Sequence, residues 1–149
     1  MDSKKGGPMD YSRNVPSLIP TKAPVKDQAL CTLVKVANTG ATFGITLVVD
    51  GQVVYGDLIS GKDYCEAMSQ RFVSSGGSRA VADQLAAYFQ DLGNESYDKD
   101  NSDEIPLNYL HLKNAAFMKG DGYAVNIKGA LFRVAIDRIS AFSPGRPDI

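Results

Sequence analysis

His111 is the only histidine of the chain, and Cys31 and Cys65 are its only thiols. Any Ser-His-Asp or Cys-His arrangement for nucleophilic attack must therefore run through His111. No G-x-S-x-G elbow exists to expose a serine, and Cys31 falls on an apolar helical stripe. One histidine and two widely separated cysteines do not make a zinc site. Ser75-Gly76-Gly77-Ser78 lacks the Lys-Ser/Thr ending of a phosphate loop, and no G-x-G-x-x-G follows a strand. The acidic run Asp91, Glu95, Asp98, Asp100, Asp103, Glu104 contains Asp98-x-Asp100-x-Ser102, which has the opening of a calcium loop. Its sixth position is Asp103 where the sharp turn needs Gly, and its twelfth is Tyr109 where a bidentate Glu is needed. That run is expected to be a solvated loop. The residues predict no catalytic, metal-binding or cofactor-binding set, and no enzyme.

The elements that would position these side chains follow from local pattern. Asp50-Gly51 lies between the apolar, β-branched runs Thr42–Val49 and Gln52–Ser60. A two-residue type I′ turn needs φ > 0 at both central positions, which Asp and Gly tolerate best. The turn sets the register: Val49 opposite Gln52, Leu47 opposite Val54, Ile45 opposite Gly56, Phe43 opposite Leu58. Phe43, Ile45, Leu47, Val54 and Leu58 then share one face, each worth roughly 1.5–3 kcal/mol when fully buried. The other face carries Thr46, Val48, Val53, Tyr55 and Asp57. Gly56 marks the expected bend of the second strand.

Before the hairpin, Leu30, Leu33, Val34 and Ala37 recur with helical period between Val25 and Asn38, with Pro24 in the first turn and Asn38-Thr39-Gly40 as the stop. After it, Tyr64, Cys65, Met68 and Phe72 form a helical stripe over Asp63–Val73. A second stripe follows the Ser78 cap: Val81, Leu85, Tyr88, Phe89 and Leu92, ended by Gly93-Asn94. Strand character returns in Leu107–Met118, with Leu110 and Leu112 facing one way and Tyr109, His111 and Lys113 facing outward. Ala130–Ile136 and Arg138–Phe142 read as two further strands. The expected domains are a disordered leader over 1–24, a single α+β domain over 25–143 with a helical insert at 61–106, and a tail over 144–149. The leader holds four of the seven prolines and cannot bury enough surface to repay its ordering.

At 149 residues, 44% hydrophobic and 22% charged, the chain has the composition of one globular domain. A net charge of −1 supplies no general attraction to nucleic acid or an anionic membrane. No apolar run approaches a membrane span, and the polar, Pro-rich start is no signal peptide. Two thiols in a chain of this size point to reduced cysteines and a cytoplasmic setting.

Two resemblances attach to these motifs. Ile45-Thr46-Leu47, Asp50-Gly51 and Gly56-x-Leu58, closing with Leu110-x-Leu112-x-Asn114-Ala115, resemble the first motif of Sm-type small barrels. That likeness implies an N-terminal helix followed by a five-stranded, strongly bent antiparallel barrel of the SH3 type. Leu131-Phe132-Arg133-Val134 keeps the Arg of the second Sm motif and has Val where that family has Gly. The second resemblance covers about residues 27 to 143. Gly44-Ile45-Thr46-Leu47-x-Val49-x-Gly51, Gly56-x-Leu58-Ile59-Ser60 and a helical segment from Tyr64 are similar to the gas-vesicle accessory protein GvpU family. So are Tyr109-Leu110-His111-Leu112-Lys113-Asn114-Ala115 and Leu131-Phe132-Arg133-x-x-Ile136-x-x-Ile139-x-Ala141-Phe142.

The GvpU resemblance implies a non-catalytic accessory protein that assembles or clusters gas vesicles through self-association and contact with other proteins, vesicle proteins among them. Expected contact residues are Val48, Val53 and Tyr55 on the hairpin's outer face, with the open sheet edges. The Sm resemblance implies a nucleic-acid module gripping single strands through Tyr109, His111, Lys113 and Arg133, against which the near-neutral charge argues. A third alternative is a small-molecule pocket between insert and sheet lined by Tyr64, Met68, Tyr88 and His111, or the same side chains as ordinary packing.

Overall fold

A computed structural model describes residues 26–127 and 129–147. The expected leader and Pro24 lie outside them. Asp50 and Gly51 both take positive φ, 50° and 81°, as a type I′ turn requires. They join β1 (Phe43–Val49) to β2 (Gln52–Ile59). All seven pairs, from Val49↔Gln52 to Phe43↔Leu58, have the register that the turn dictates. Ile45, Leu47, Val54 and Leu58 are buried on the inner face.

Helix α1 (Gln28–Asn38) is capped by Asp27, whose carboxylate accepts from the amides of Ala29 and Leu30. It lays Leu30, Val34 and Ala37 on that inner face, where they form the main core with Leu110, Leu112, Ala115 and Ile136. Asn38 is itself buried, and its Oδ1 accepts from the Gly61 amide at 3.1 Å. The last turn of α1 is thereby tied to the first turn of α2 (Gly61–Val73), which Ser60 caps.

The insert is a helical hairpin, α2 and α3 (Arg79–Ser96), followed by a 3-10 segment over Lys99–Glu104. It covers the opposite face of the sheet. Ile59, Tyr64, Cys65, Tyr97 and Ile105 make a second core there. The acidic stretch expected as a loop is thus partly wound, and Lys99 ties it to Asp63 of α2 at 2.8 Å.

Two expectations for α3 are corrected. The helix does not stop at Gly93-Asn94 but continues to Ser96. Gly93 is there for space: a Cβ on it would lie 2.9 Å from that of Cys65. The buried stripe is Ala82, Ala86 and Gly93, small residues that let α2 approach, and Ser69 Oγ donates to the Ala86 carbonyl at 2.9 Å. Val81, Leu85 and Tyr88, expected in the core, are exposed, Val81 at 53% and Tyr88 at 59%.

The sheet is antiparallel, with the order β4-β3-β2-β1-β6 and β5 also paired to β3. Its later strands are β3 (Tyr109–Met118), β4 (Ala124–Asn126), β5 (Leu131–Ala135) and β6 (Ile139–Pro144). The α+β class and the N-terminal helix before the sheet are as expected. The five-stranded closed barrel is not: there are six strands, and among the described residues no ladder joins β5 to β6. Opposite Gly56, β3 carries an extra residue, because the pairing steps from Tyr55↔Ala116 to Asp57↔Lys113. Asn114 takes φ 51° in this bulge, and a Cβ on Gly56 would lie 3.0 Å from the Lys113 carbonyl oxygen.

The segment after β6 belongs to the same fabric. Gly145 donates its amide to the Gly44 carbonyl at 2.8 Å. Arg146 donates to Asp57 at 3.1 Å and to the Asn114 carbonyl at 3.2 Å, with its guanidinium 5.4 Å from the Tyr55 ring centre.

Candidate interaction site at the open side of the sheet

Strand β3 presents Tyr109, His111 and Lys113 to the side that the helical hairpin covers. The hairpin does not cover them equally. His111, expected to face outward, is 1% exposed. Its ring lies 4.6 Å from that of Tyr64 on α2 and 5.1 Å from that of Tyr97, the residue ending α3. Tyr109 stays exposed at the rim, and Lys113 is exposed beyond the helices.

Cross-strand pairing sets Arg133 of β5 directly opposite His111. The guanidinium stacks on the Tyr109 ring at 4.0 Å, and one N–H points to His111 Nε2 at 3.5 Å. A guanidinium can only donate, so Nε2 is the unprotonated nitrogen of this imidazole. Burial first, and the Arg133 charge second, lower the His111 pKa to about 3. The imidazole is therefore neutral at physiological pH. Burial likewise raises Cys65 to about 11 and raises the Tyr64 and Tyr97 hydroxyls, in each case against the opposing pull of Arg133. These groups are all held in their uncharged forms, and Arg133 is the charge among them.

Among the described residues no carboxylate comes within ion-pairing distance of Arg133. The cation lines a cleft of about 470 Å3 with Val49, Asp50, Val54, Phe132, Val134 and Arg138, and there Asp50 is paired with Arg138 at 3.3 Å rather than with Arg133. This cleft runs where a closed barrel would join its last strands, along the unclosed side of the sheet.

The structure brings together three of the residues expected to act as a group, Tyr109, His111 and Arg133. It does not bring Lys113 into contact with them. A buried His111 offers no face to a nucleic-acid base, so of the aromatic rings expected to stack on bases Tyr109 alone is exposed. Met68 and His111 pack within or against the second core, Tyr64 does so while also forming part of the cleft wall with Arg133, and Tyr88 points outward on α3. On the hairpin's outer face Val48 and Val53 are half-buried and directly paired. Tyr55, expected there as a contact residue, is 2% exposed, with Arg146 lying over its ring. Among the described residues no group of three His, Cys, Asp or Glu side chains is placed to hold a metal ion, and no helix is long and apolar enough to cross a membrane.

The sequence does not mark the stripe of Val81, Leu85 and Tyr88 as a surface. Its helical spacing was visible, but which of two overlapping stripes would be buried depended on the small residues Ala82, Ala86 and Gly93. Comparison with protein families matches residues 27–147 to the family described as gas vesicle protein GvpU-like. Comparison with curated proteins gives no match, and comparison with solved structures gives none.

Proposed function

From the premise that this chain belongs to the GvpU-like gas-vesicle family, we propose that it is a non-catalytic, cytoplasmic accessory protein that clusters or assembles vesicles through protein contacts and self-association. The family match over most of the chain is the observation that carries this reading. The surface supports it. Val81, Leu85 and Tyr88 repeat at i, i+4 and i+7 along one exposed side of α3, with Val73 of α2 also exposed. An exposed apolar stripe on a helix is the kind of surface that proteins use against one another. We assign self-association to that stripe, and a supplementary contact to Val48 and Val53.

Flotation tests the proposal. Purified full-length protein mixed with gas vesicles rises with the vesicle layer and increases its light scattering through clustering. Leu85→Glu lowers both the clustering and the protein's own oligomer mass in light scattering. Protein that stays in the liquid below the vesicles, or a wild type that is a monodisperse monomer at working concentration, overturns the reading.

A further inference from the structure

The hydrogen bond from the Ile136 amide to the Asn108 carbonyl, 2.9 Å, fixes the phase of the β3–β5 ladder. In an antiparallel pair, residues alternate between those that exchange backbone bonds and those whose N–H and C=O point away. With Tyr109↔Ala135 and His111↔Arg133 in register, Leu110–Val134 and Leu112–Phe132 are the bonded pairs. Leu131, Arg133 and Ala135 therefore turn their backbone groups away from β3, toward the cleft. No backbone or side-chain partner takes up the amides of these three among the described residues. The cleft walls come from both faces of the same strand: Leu131 and Arg133 on the helical side, Phe132 and Val134 on the main-core side.

We propose that the free edge of β5 is a docking edge for an extended, acidic segment of a partner protein, which adds to the sheet as a further strand and sets a carboxylate on Arg133. The inference rests on the chain being an interaction protein and names the chemistry of one partner. An unpaired edge supplies the main-chain bonds of strand addition, and the flanking side chains supply selectivity. The cleft of about 470 Å3 is of the size that holds a few extended residues. Tyr109 covers one face of the Arg133 guanidinium, which leaves in-plane N–H groups for a carboxylate. Side chains on adjacent strands lie close enough for that pairing.

Charge selects among occupants. A second copy pairing symmetrically through β5 would bring two Arg133 side chains onto one face of the joint sheet. The segment 1–24 of this chain carries four cations against two carboxylates, the wrong balance for the same site. The chain's own acidic stretch is already wound into the 3-10 segment and held to α2. A carboxylate-bearing strand from another protein satisfies both the backbone edge and a cation that no carboxylate pairs among the described residues.

The test is an amide NMR titration of the full-length protein with two probe peptides of alternating Val and Thr, alike except for a central Glu or Gln. The Glu peptide shifts the amides of Leu131, Arg133 and Ala135 first and binds roughly tenfold more tightly than the Gln peptide. Arg133→Gln brings the two affinities together. Ala135→Pro weakens both peptides, because Ala135 has φ −66°, which proline adopts unstrained, and its lost N–H serves only the docking edge. Should Ala135→Pro fail to fold, Arg133→Gln still decides the outcome. No shift at these amides with millimolar peptide overturns the proposal. Equal affinity of the wild type for the two peptides, or a folded Ala135→Pro that binds as the wild type does, also overturns it. If the peptides fail while the wild type still rises with vesicles, strand addition falls and the accessory role stands. If peptides bind but vesicles are ignored, the reverse holds.

Discussion

His111 makes the stability of the domain depend on pH in a way that can be isolated from every other group. In the unfolded chain its pKa returns to the ordinary 6.5, whereas in the folded protein burial and Arg133 hold it at about 3. Between those values the unfolded chain binds a proton that the folded chain refuses, so stability falls as pH falls. The contribution is complete above pH 6.5 and is lost on the way down to about pH 3. One proton gives a slope of about 1.4 kcal/mol per pH unit, and thus about 3 kcal/mol between neutral pH and about pH 4. That is a large part of the 5–15 kcal/mol by which domains of this kind are typically stable, hence roughly a third of it.

The measurement is urea unfolding followed by circular dichroism across this range, for wild type and His111→Leu. Carboxylates titrate in both proteins and cancel in the difference, so only the histidine's slope remains. Arg133→Gln removes the smaller cause and leaves burial, and it narrows the pH window without abolishing it. Parallel stability profiles for wild type and His111→Leu would refute the reasoning. So would an imidazole resonance in the folded protein that titrates near 6.5.

Three further outcomes follow from packing. Gly93→Ala gains about 1 kcal/mol of helix propensity but places its Cβ 2.9 Å from that of Cys65, and overpacking of about 1–3 kcal/mol wins. Urea unfolding should show a net loss, and a midpoint equal to or above that of the wild type would refute the overpacking. Arg146→Ala loses the link to Asp57 and to the bulge carbonyl of Asn114, at a cost of about 1–2 kcal/mol, and Arg146→Lys recovers little because an ammonium lacks the fork. A melting temperature unchanged by Arg146→Ala would show that the chain after β6 adds nothing to the fold. Cys65, buried and pushed up to about 11, stays a thiol and should not react with Ellman's reagent until the protein unfolds. Rapid release of colour from the native protein would contradict its burial.

How far the sequence shows this molecule depends on the range of the interaction concerned. Asp50-Gly51 shows it most fully, because a two-residue turn fixes conformation and register without reference to anything distant. The α1 stripe is nearly as legible, since it meets one continuous apolar face. The burial of His111 is not legible locally, because alternation in Tyr109-Leu110-His111-Leu112-Lys113 separates two faces but does not say whether the second is covered. The answer lay in residues 61–106, whose hairpin folds back over it. Gly93 has the same cause: a glycine near a helix end is locally a stop, and only the nearness of Cys65 makes it a spacer. β4 has three residues and no pattern of its own, existing through its pairing with Ala116–Met118. Arg133 is legible as a cation on a strand, but not as one that no carboxylate pairs among the described residues, which is a property of the assembled surface.

The helical insert and the unclosed sheet are connected. In a small closed barrel the last two strands complete the ring and no cleft remains. Here the hairpin of α2 and α3 settles on the side of β3 that carries His111, and Tyr64, Tyr97 and Leu131 pack there as a second core. β5 is thus held by its pairing to β3 and by contacts on both faces, with Leu131 in the second core and Phe132 and Val134 against the main one. A strand anchored on both faces does not need a ladder on its outer edge to stay in place. Closure of the ring is dispensable for stability, and the edge is left for something else to occupy. The same burial that keeps His111 neutral leaves Arg133 as the charge directly beside it, with Arg138 and its partner Asp50 on the same cleft. The insert therefore stabilises the open edge and, through Arg133, fixes the sign of what the edge can receive.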